Sequence, residues 1–272
     1  MKVYYCFPEG KTKALTMSYD DAKFQDRKLV SIFNKYGIRG TFNLNYGTLG
    51  KSPIISAEEV PALYQGHEIA THTLNHPVIG RCPLSLVAEE IHQDRKGLES
   101  LTGQIVRGHA YPNGSYNKEI QTLLQGLGIV YGRVVQSIPS FELPDNPMEW
   151  HPTCHHSDPN LMEYGSFFIN FSKKQYLKLM YVWGHSYEFD RNERGNNWET
   201  IEEFCKLMGN RSDIWYATNI EIIDYLESVK RLRYTAAADT VYNPSVESVW
   251  INLDGLKTIE AKSGCFTKLS LE

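Results

Sequence analysis

Residues 14–21 read ALTMSYDD, a short apolar run that ends in two carboxylates. Its first six residues have the pattern of a buried strand. The apolar stripe that follows has helical spacing and stops at Gly37, and residues 39–45 again have the pattern of a strand. A strand, an amphipathic helix and a second strand make up the repeating unit of parallel α/β folds.

This alternation continues to about residue 232 and predicts an α/β fold, either a parallel sheet or a barrel. Ser56 and Glu59 have the spacing of a capping box, which predicts a short helix there. The segment 136–165 is rich in Pro, Asn, Asp and His and predicts a long loop that reaches over a site. The remaining strands are predicted at 67–73, 105–111, 129–135, 179–184 and 213–216, and the remaining helices at 85–103, 120–127, 174–178, 201–208 and 220–231.

The last forty residues have a different pattern. Short β-rich segments occur at 240–242, 248–253 and 256–261, and Asp254-Gly255 between the last two is a strong hairpin signal. We therefore predict two regions, a barrel domain over residues 1–232 and a small β-rich extension over 233–272. The pattern leaves open whether the extension packs on the barrel, closes its edge or pairs with another subunit.

Composition and charge restrict the class of function. The 272 residues carry 28 Lys and Arg against 32 Asp and Glu, a net charge of −4, which disfavours nucleic acid as a partner. The five cysteines have no paired spacing, so neither a disulfide framework nor a thiolate zinc site is indicated. No segment has the apolar length of a membrane span or the layout of a secretory signal, so we expect a cytoplasmic protein. The sequence does not decide its oligomeric state.

The ionisable residues cluster where predicted strands end. Asp20 and Asp21 follow the first strand, and His72 and His76 follow the third at a spacing of four. In a βα barrel these positions share one rim, where active sites form. One carboxylate and two imidazoles with a free position for water are typical of catalytic metal sites. Taken singly, the aspartates are equally explained as helix caps and the histidine pair as coincidence.

Two of these segments resemble motifs of the NodB-type polysaccharide deacetylases, carbohydrate esterase family 4. Residues 16–21 are similar to the first motif, and residues 72–77, HTLNHP, match the second, H-[ST]-x-x-H-P, at every fixed position. The resemblance implies a distorted (β/α)7-8 barrel and a divalent metal held by Asp21, His72 and His76. The metal would be Zn²⁺, with Co²⁺, Ni²⁺ or Mn²⁺ as alternatives.

The resemblance also implies a reaction. A water activated by the metal would attack an acetyl group on a saccharide, while Asp20 acts as general base and Thr73 steadies the loop by hydrogen bonds. The enzyme would be a hydrolase of non-peptide carbon–nitrogen bonds, and its substrate an N- or O-acetylated saccharide.

The third family motif, R-x-P-Y-G, is incomplete in residues 110–114, AYPNG. Pro112 and Gly114 match, the backbone N–H of Asn113 is expected to stabilise the oxyanion, and Tyr111 is expected to form a wall of the site. Ala110 stands where the family has the arginine that contacts the base. We expect Arg107 or His109 to replace it, or the pKa of the base Asp20 to be set in another way.

The last family motif, an apolar strand followed by His, fits residues 179–185 and makes His185 the expected general acid. A neighbouring carboxylate should raise the pKa of His185. Glu149 and Glu188 are the two candidates for this carboxylate. Trp183 is expected to form the floor for the acetyl methyl group, together with Trp150.

Two further matters stay open in the sequence. His151, His155 and His156 in the long loop are consistent with a second metal site or with substrate contacts, although simple exposure is the favoured interpretation. The same fold also supports hydrolysis of small cyclic amides, which the missing arginine favours, or a catalytically weak carbohydrate-binding descendant.

Overall fold

The computed structural model describes residues 1–271. The strand β1 (Val3–Cys6) lies outside the barrel. The barrel strands are β2 (Lys13–Asp20), β3 (Gly40–Leu44), β4 (Glu68–Thr71), β5 (Gly108–Ala110), β6 (Tyr131–Arg133), β7 (Cys154–His155), β8 (Lys178–Gly184) and β9 (Ile214–Tyr216). The C-terminal strands are β10 (Arg233–Tyr234), β11 (Thr240–Tyr242), β12 (Val249–Leu253), β13 (Lys257–Ala261) and β14 (Phe266–Lys268). The helices are α1 (Asp26–Lys35), α2 (Val60–Leu63), α3 (Leu84–Thr102), α4 (Lys118–Gly126), α5 (Leu161–Asn170), α6 (Trp198–Met208) and α7 (Asn219–Lys230).

Eight parallel strands form one curled sheet in the order β6-β5-β4-β3-β2-β8-β7, with β9 paired to the start of β2. Every residue of β2 is buried, as expected of a central strand covered on both faces. The segment 150–155 spans the gap between the two edges, because Trp150 bridges to Arg133 on β6 while β7 pairs with β8. The predicted α/β distorted barrel is therefore confirmed.

The carboxyl ends of the parallel strands meet at one rim. Asp20 ends β2, His72 directly follows β4, and His185 directly follows β8. The three side chains therefore come together although they are far apart in sequence, as parallel βα units require.

Three local predictions were wrong. The segment 136–165 is not one open loop, because β7 and the start of α5 lie in it; a strand of two residues is too short to leave a periodic pattern. The segment 174–178 is not a helix: it forms a turn and ends in Lys178, the first residue of β8. The capping box at Ser56 does not form, because Arg27 binds the carboxylate of Glu59.

The C-terminal region forms two small antiparallel sheets. The predicted hairpin joins β12 and β13, and Asp254 and Gly255 have φ values of 54° and 77°, which is the left-handed backbone that a tight turn of this type needs. The strand β1 pairs with β12, so residues 3–6 lie in the same sheet as the C-terminal strands. The domain boundary at residue 232 stays a prediction. None of the helices between residues 1 and 271 has the length and apolar character needed to cross a bilayer.

Candidate active site

The predicted metal ligands lie together at the rim. Asp21 Oδ1 is 3.9 Å from His72 Nε2 and 3.8 Å from His76 Nε2, and one ligand atom of each residue lies within 4.8 Å of the others. His72 is buried, whereas Asp21 and His76 are partly exposed on the solvent side. The arrangement leaves the trio open toward solvent.

Backbone strain shapes this cluster. Asp21, Thr73 and His76 all have positive φ values, of 79°, 67° and 59°, which side-chain-bearing residues rarely adopt. Thr73 Oγ1 accepts the backbone N–H of His76 at 3.0 Å, the loop-steadying bond expected for this threonine. Strain of this kind is concentrated at functional sites, where the surrounding structure maintains it.

Asp94 on α3 is a supporting residue that the sequence did not reveal. Its carboxylate accepts the backbone N–H groups of Tyr46 at 2.6 Å and His72 at 3.1 Å, and also the hydroxyl of Thr71. Asp94 therefore fixes the start of the histidine loop. A single aspartate in a helical stripe carries no signal for this role.

The environment of His72 fits a metal. Its Nδ1–H donates to the carbonyl of Ala110 at 2.7 Å, because a carbonyl can only accept, and Nε2 is left with its lone pair toward Asp21. Burial lowers the pKa of His72 to about 4, although Asp20 and Asp21 act to raise it. The imidazole is therefore neutral near pH 7, which is the form that binds metals.

Asp20, the predicted base, is buried and fully engaged. Arg133 Nη2 donates to both of its carboxylate oxygens, and Asn43 Nδ2 donates to Oδ1 at 2.8 Å. Burial acts to raise the pKa of Asp20, but the charge and hydrogen bonds of Arg133, with smaller contributions from the imidazoles of His72 and His185, outweigh it and hold the pKa well below its usual range. Asp20 is thus ionised near neutral pH.

Arg133 corrects the expectation for the missing motif arginine. Arg107 forms an ion pair with Asp224, and buried His109 has no hydrogen-bond partner for either ring nitrogen among residues 1–271, so neither replaces it. Arg133 is instead the pairing partner of Ala110 on the neighbouring strand. The arginine has moved across one strand while reaching the same carboxylate, and the only sequence signal was a charge within an apolar strand.

His185, the predicted acid, points Nε2 toward Asp20 Oδ2 at 3.8 Å and Nδ1 toward Glu188 Oε1 at 3.3 Å. Burial acts to lower the pKa of His185, but the carboxylates of Glu188, Asp20 and Asp21 raise it above its ordinary value. Glu188 is therefore its neighbouring carboxylate. Glu149, the other candidate, accepts the hydroxyl of Tyr116 at 2.8 Å instead.

Of the two tryptophans predicted to form the floor of the site, one lies beside the site and the other does not. Trp183 lies beside the site, with the guanidinium carbon of Arg133 at 4.4 Å from its ring centre. Trp150 is buried between Tyr131 and Tyr181 and belongs to the core, so the expected second floor residue was wrong.

The third motif forms a tight turn after β5. Asn113 has a φ of 54° and Pro112 is buried within that turn. Tyr111 is fully buried and its hydroxyl donates to the carbonyl of Met148, so the expectation that it forms a wall of the site was wrong. The reason is that the ring fills the space beside Gly132 on β6.

The loop histidines are not simply exposed. His156 is buried and His155 is mostly buried, and both imidazoles face Glu188 beside His185. His151 alone lies apart from them, with Nδ1 at 2.8 Å from the carbonyl of Gln136. The favoured interpretation of simple exposure was wrong for His155 and His156, because β7 brings them against β8, and the side chain of His151 is itself only 24% exposed.

Comparison with known proteins shows what part of this chain is similar to a known family. Residues 8–132 match the family model described as polysaccharide deacetylase. The uncharacterised protein YlxY of Bacillus subtilis is 26% identical over 93 residues, which are 34% of this chain and 28% of that protein. The matched part thus spans under a third of that relative's length.

Solved structures share the fold at low sequence identity. A candidate polysaccharide deacetylase from Mycobacterium smegmatis matches with a TM-score of 0.60 at 16% identity, covering 82% of this chain and 93% of that one. The Xyl-CE4 domain of a xylanase from the hindgut metagenome of Trinervitermes trinervoides has a TM-score of 0.53 at 14% identity, covering 79% and 92%.

A mutant of BA3943 from Bacillus anthracis, described as a CE4 family pseudoenzyme with restored enzymatic activity, has a TM-score of 0.53 at 16% identity, covering 81% of this chain and 70% of that one. The fold alone is therefore shared by active and inactive proteins. The family model over residues 8–132 confirms the resemblance to the polysaccharide deacetylases that the sequence motifs indicate, and the solved structures share the fold.

Proposed function

We propose that this protein is a metal-dependent deacetylase of an N- or O-acetylated saccharide. The observation that carries the proposal is the juxtaposition of three kinds of group at one rim. These are a three-ligand cluster, an ionised carboxylate held by Arg133 and an imidazole paired with Glu188. They lie next to one another, with His185 Nε2 3.8 Å from Asp20 Oδ2.

Asp21, His72 and His76 would hold the metal. Two imidazoles and a carboxylate suit Zn²⁺ first, and an open side toward solvent is typical of a catalytic site. When bound, such a cation polarises a carbonyl and makes a water more acidic. The fixed tautomer of His72, with Nε2 free, supports this assignment.

Asp20 and His185 would move the protons. Asp20 is ionised and accepts the proton of the attacking water, and Arg133 and Asn43 keep its carboxylate in place. His185 carries a proton that its Nε2, on the side of Asp20, delivers to the departing amine or alkoxide. The carboxylate of Glu188 supports the protonated form of His185 before the reaction.

Arg133 weakens the case for the alternatives. The interpretation as a cyclic-amide hydrolase depended on the missing motif arginine, and an arginine does contact the base. The interpretation as a binding protein depended on loss of site residues, and all three ligands and the base are present. The deacetylase is therefore the function that the geometry supports best.

Acetate release from acetylated chito-oligosaccharides tests the proposal. We expect the zinc-loaded protein to release acetate and the Asp20→Asn variant to lose at least about 10²-fold in rate while keeping the wild-type metal content, because only the base is removed. The Asp21→Ala variant should lose both acetate release and about one equivalent of metal.

Two outcomes would contradict the proposal. Full acetate release by Asp20→Asn would remove Asp20 as base. Turnover of cyclic imides by a metal-loaded wild type that leaves acetylated sugars intact would favour the other hydrolase.

A further inference from the structure

A second cluster of ligating side chains lies behind the general acid. It consists of His155, His156, His185 and Glu188, which we call the Glu188 cluster. Glu188 Oε2 lies 3.2 Å from His155 Nε2 and 2.8 Å from His156 Nε2, while Oε1 lies 3.3 Å from His185 Nδ1. Three imidazoles thus converge on one carboxylate.

The converging atoms have polar contacts only within the cluster. Among residues 1–271, the buried atoms His156 Nε2, His185 Nδ1 and Glu188 Oε2 contact one another and His155 and no other polar group. His156 is only 2% exposed. One buried carboxylate is thus shared by three imidazoles, a set of groups that a cation can also bind jointly.

The outer nitrogen of His156 is held in a way that suits a metal ligand. His156 Nδ1 lies 3.2 Å from the hydroxyl of Tyr19, which can accept its proton and leave the lone pair of Nε2 directed at Glu188. His155 Nδ1 accepts the backbone N–H of Ser157 at 3.2 Å, so its proton is on Nε2; binding a cation there would move that proton to Nδ1, 2.7 Å from the Ser157 hydroxyl. Such outer partners are usual for ligating histidines.

The spacing also fits a cation. Ligands about 2.0–2.1 Å from a tetrahedral zinc ion lie about 3.3–3.4 Å from one another. Two separations in the cluster, 3.2 and 3.3 Å, are close to this, the third is shorter at 2.8 Å, and one atom from each of His155, His185 and Glu188 lies within 4.8 Å of the other two. We propose that the Glu188 cluster is a second divalent-cation site, of the imidazole-rich kind that takes Zn²⁺ or Co²⁺.

A cation at this site would act on the proposed reaction, and this consequence rests on the proposed function. His185 Nδ1 would be a ligand, so His185 could no longer carry the extra proton that a general acid delivers. We therefore expect excess metal to inhibit acetate release. Metal bound near Asp21 would thus activate acetate release, and metal bound at the Glu188 cluster would inhibit it.

Counting bound Co²⁺ tests the second site without any assay of activity. Metal-free full-length protein is dialysed against Co²⁺ and the bound metal is measured together with the visible absorption of the ion. We expect about two equivalents for the wild type and about one for each of the single variants His76→Ala and His155→Gln. The double variant should bind none.

His151→Ala is the matched control, since His151 is in the same loop but contacts Gln136 and lies outside the cluster. It should bind as many equivalents as the wild type. One equivalent in the wild type with none in His76→Ala would overturn the second site, and so would two equivalents in His155→Gln. These counts stay informative even if acetylated sugars prove not to be substrates.

Zinc titration then tests the inhibition. Acetate release by the wild type should rise with the first equivalent of Zn²⁺ and fall with further metal, whereas His155→Gln should keep its maximum rate. Equal inhibition of both proteins would contradict the proposed capture of His185.

Discussion

Arg133 holds the base in place through two contacts that a lysine cannot reproduce. Its guanidinium donates to both oxygens of Asp20 and stacks on Trp183 at 4.4 Å. Both contacts depend on a flat, delocalised cation. Because Arg133 and Asp20 are both buried, removing one leaves the charge of the other uncompensated.

We expect Arg133→Ala to lower acetate release by about 10²- to 10⁴-fold and the free energy of unfolding by about 3–5 kcal/mol. The double variant Ala110→Arg/Arg133→Ala should regain part of both, because the two positions pair on neighbouring strands and point to the same face. Kinetics and chemical denaturation provide the measurements. A folded Arg133→Ala protein with wild-type activity would show that the contact has no catalytic role.

The sequence predicted the residues that occupy motif positions and missed those that act through space. Asp20, Asp21, His72, His76 and His185 all follow strands, and the fold brings them together as expected. Arg133 and Asp94 were missed because their partners are set by strand register and helix packing, which a single sequence does not reveal. The roles of these residues stay predictions until they are measured.

Among the secondary-structure elements, α3 supports the metal loop. It carries Asp94 on its buried side, and a turn higher Gly97 lets the ring of Tyr46 lie directly on the helix. The backbone N–H of Tyr46 in turn donates to Asp94 at 2.6 Å. Because Asp94 also accepts the backbone N–H of His72, the position of α3 helps to fix the His72 backbone.

A methyl group at Gly97 should therefore disturb the loop. Its Cβ would lie 2.3–2.5 Å from three ring atoms of Tyr46, and we expect Gly97→Ala to lower the free energy of unfolding by about 1–3 kcal/mol and to weaken metal binding. Gly126→Ala in α4 is the control, since nothing lies within 4 Å of its Cβ, and it should change stability by no more than about 1 kcal/mol. Thermal denaturation and metal titration distinguish the two, and equal effects would contradict the role of Tyr46.

The length of an element decided whether the sequence could predict it. Helices such as α3 and α7 and the strand β2 span several periods, so their apolar stripes are visible. The two residues of β7 carry no period, and their pairing with β8 arises only once the barrel curls. The histidines beside Glu188 were misjudged for this reason.

At the scale of the whole molecule, folding buries three carboxyl groups besides the proposed base Asp20. Burial raises the pKa values of Asp26, Glu68 and Asp94 to about 7 each. Burial also lowers the pKa values of His67 and His156 to about 4. The raised carboxyl pKa values lower the free energy of unfolding as pH rises, whereas the lowered histidine pKa values increase it over nearly the same pH range. The pH dependence of wild-type stability therefore does not identify the contribution of either set of residues.

The Asp26→Asn variant isolates one of these contributions. Between about pH 4 and pH 7 the folded wild type keeps a proton on Asp26 that the unfolded chain releases, so this group destabilises the wild type progressively as pH rises. The variant should gain relative stability by up to about 1.4 kcal/mol per pH unit in this window and not beyond it. Denaturation at several pH values measures the difference, and a constant difference would rule out the raised pKa.

The pairing of β1 with β12 has a consequence for how the protein is made. Residues 3–6 leave the ribosome roughly 250 residues before their partners at residues 250–253. At about 5–20 residues per second this interval is roughly 12–50 s. The first strand must therefore stay unpaired while the barrel is synthesised, and a chaperone that covers extended segments would meet it during that time.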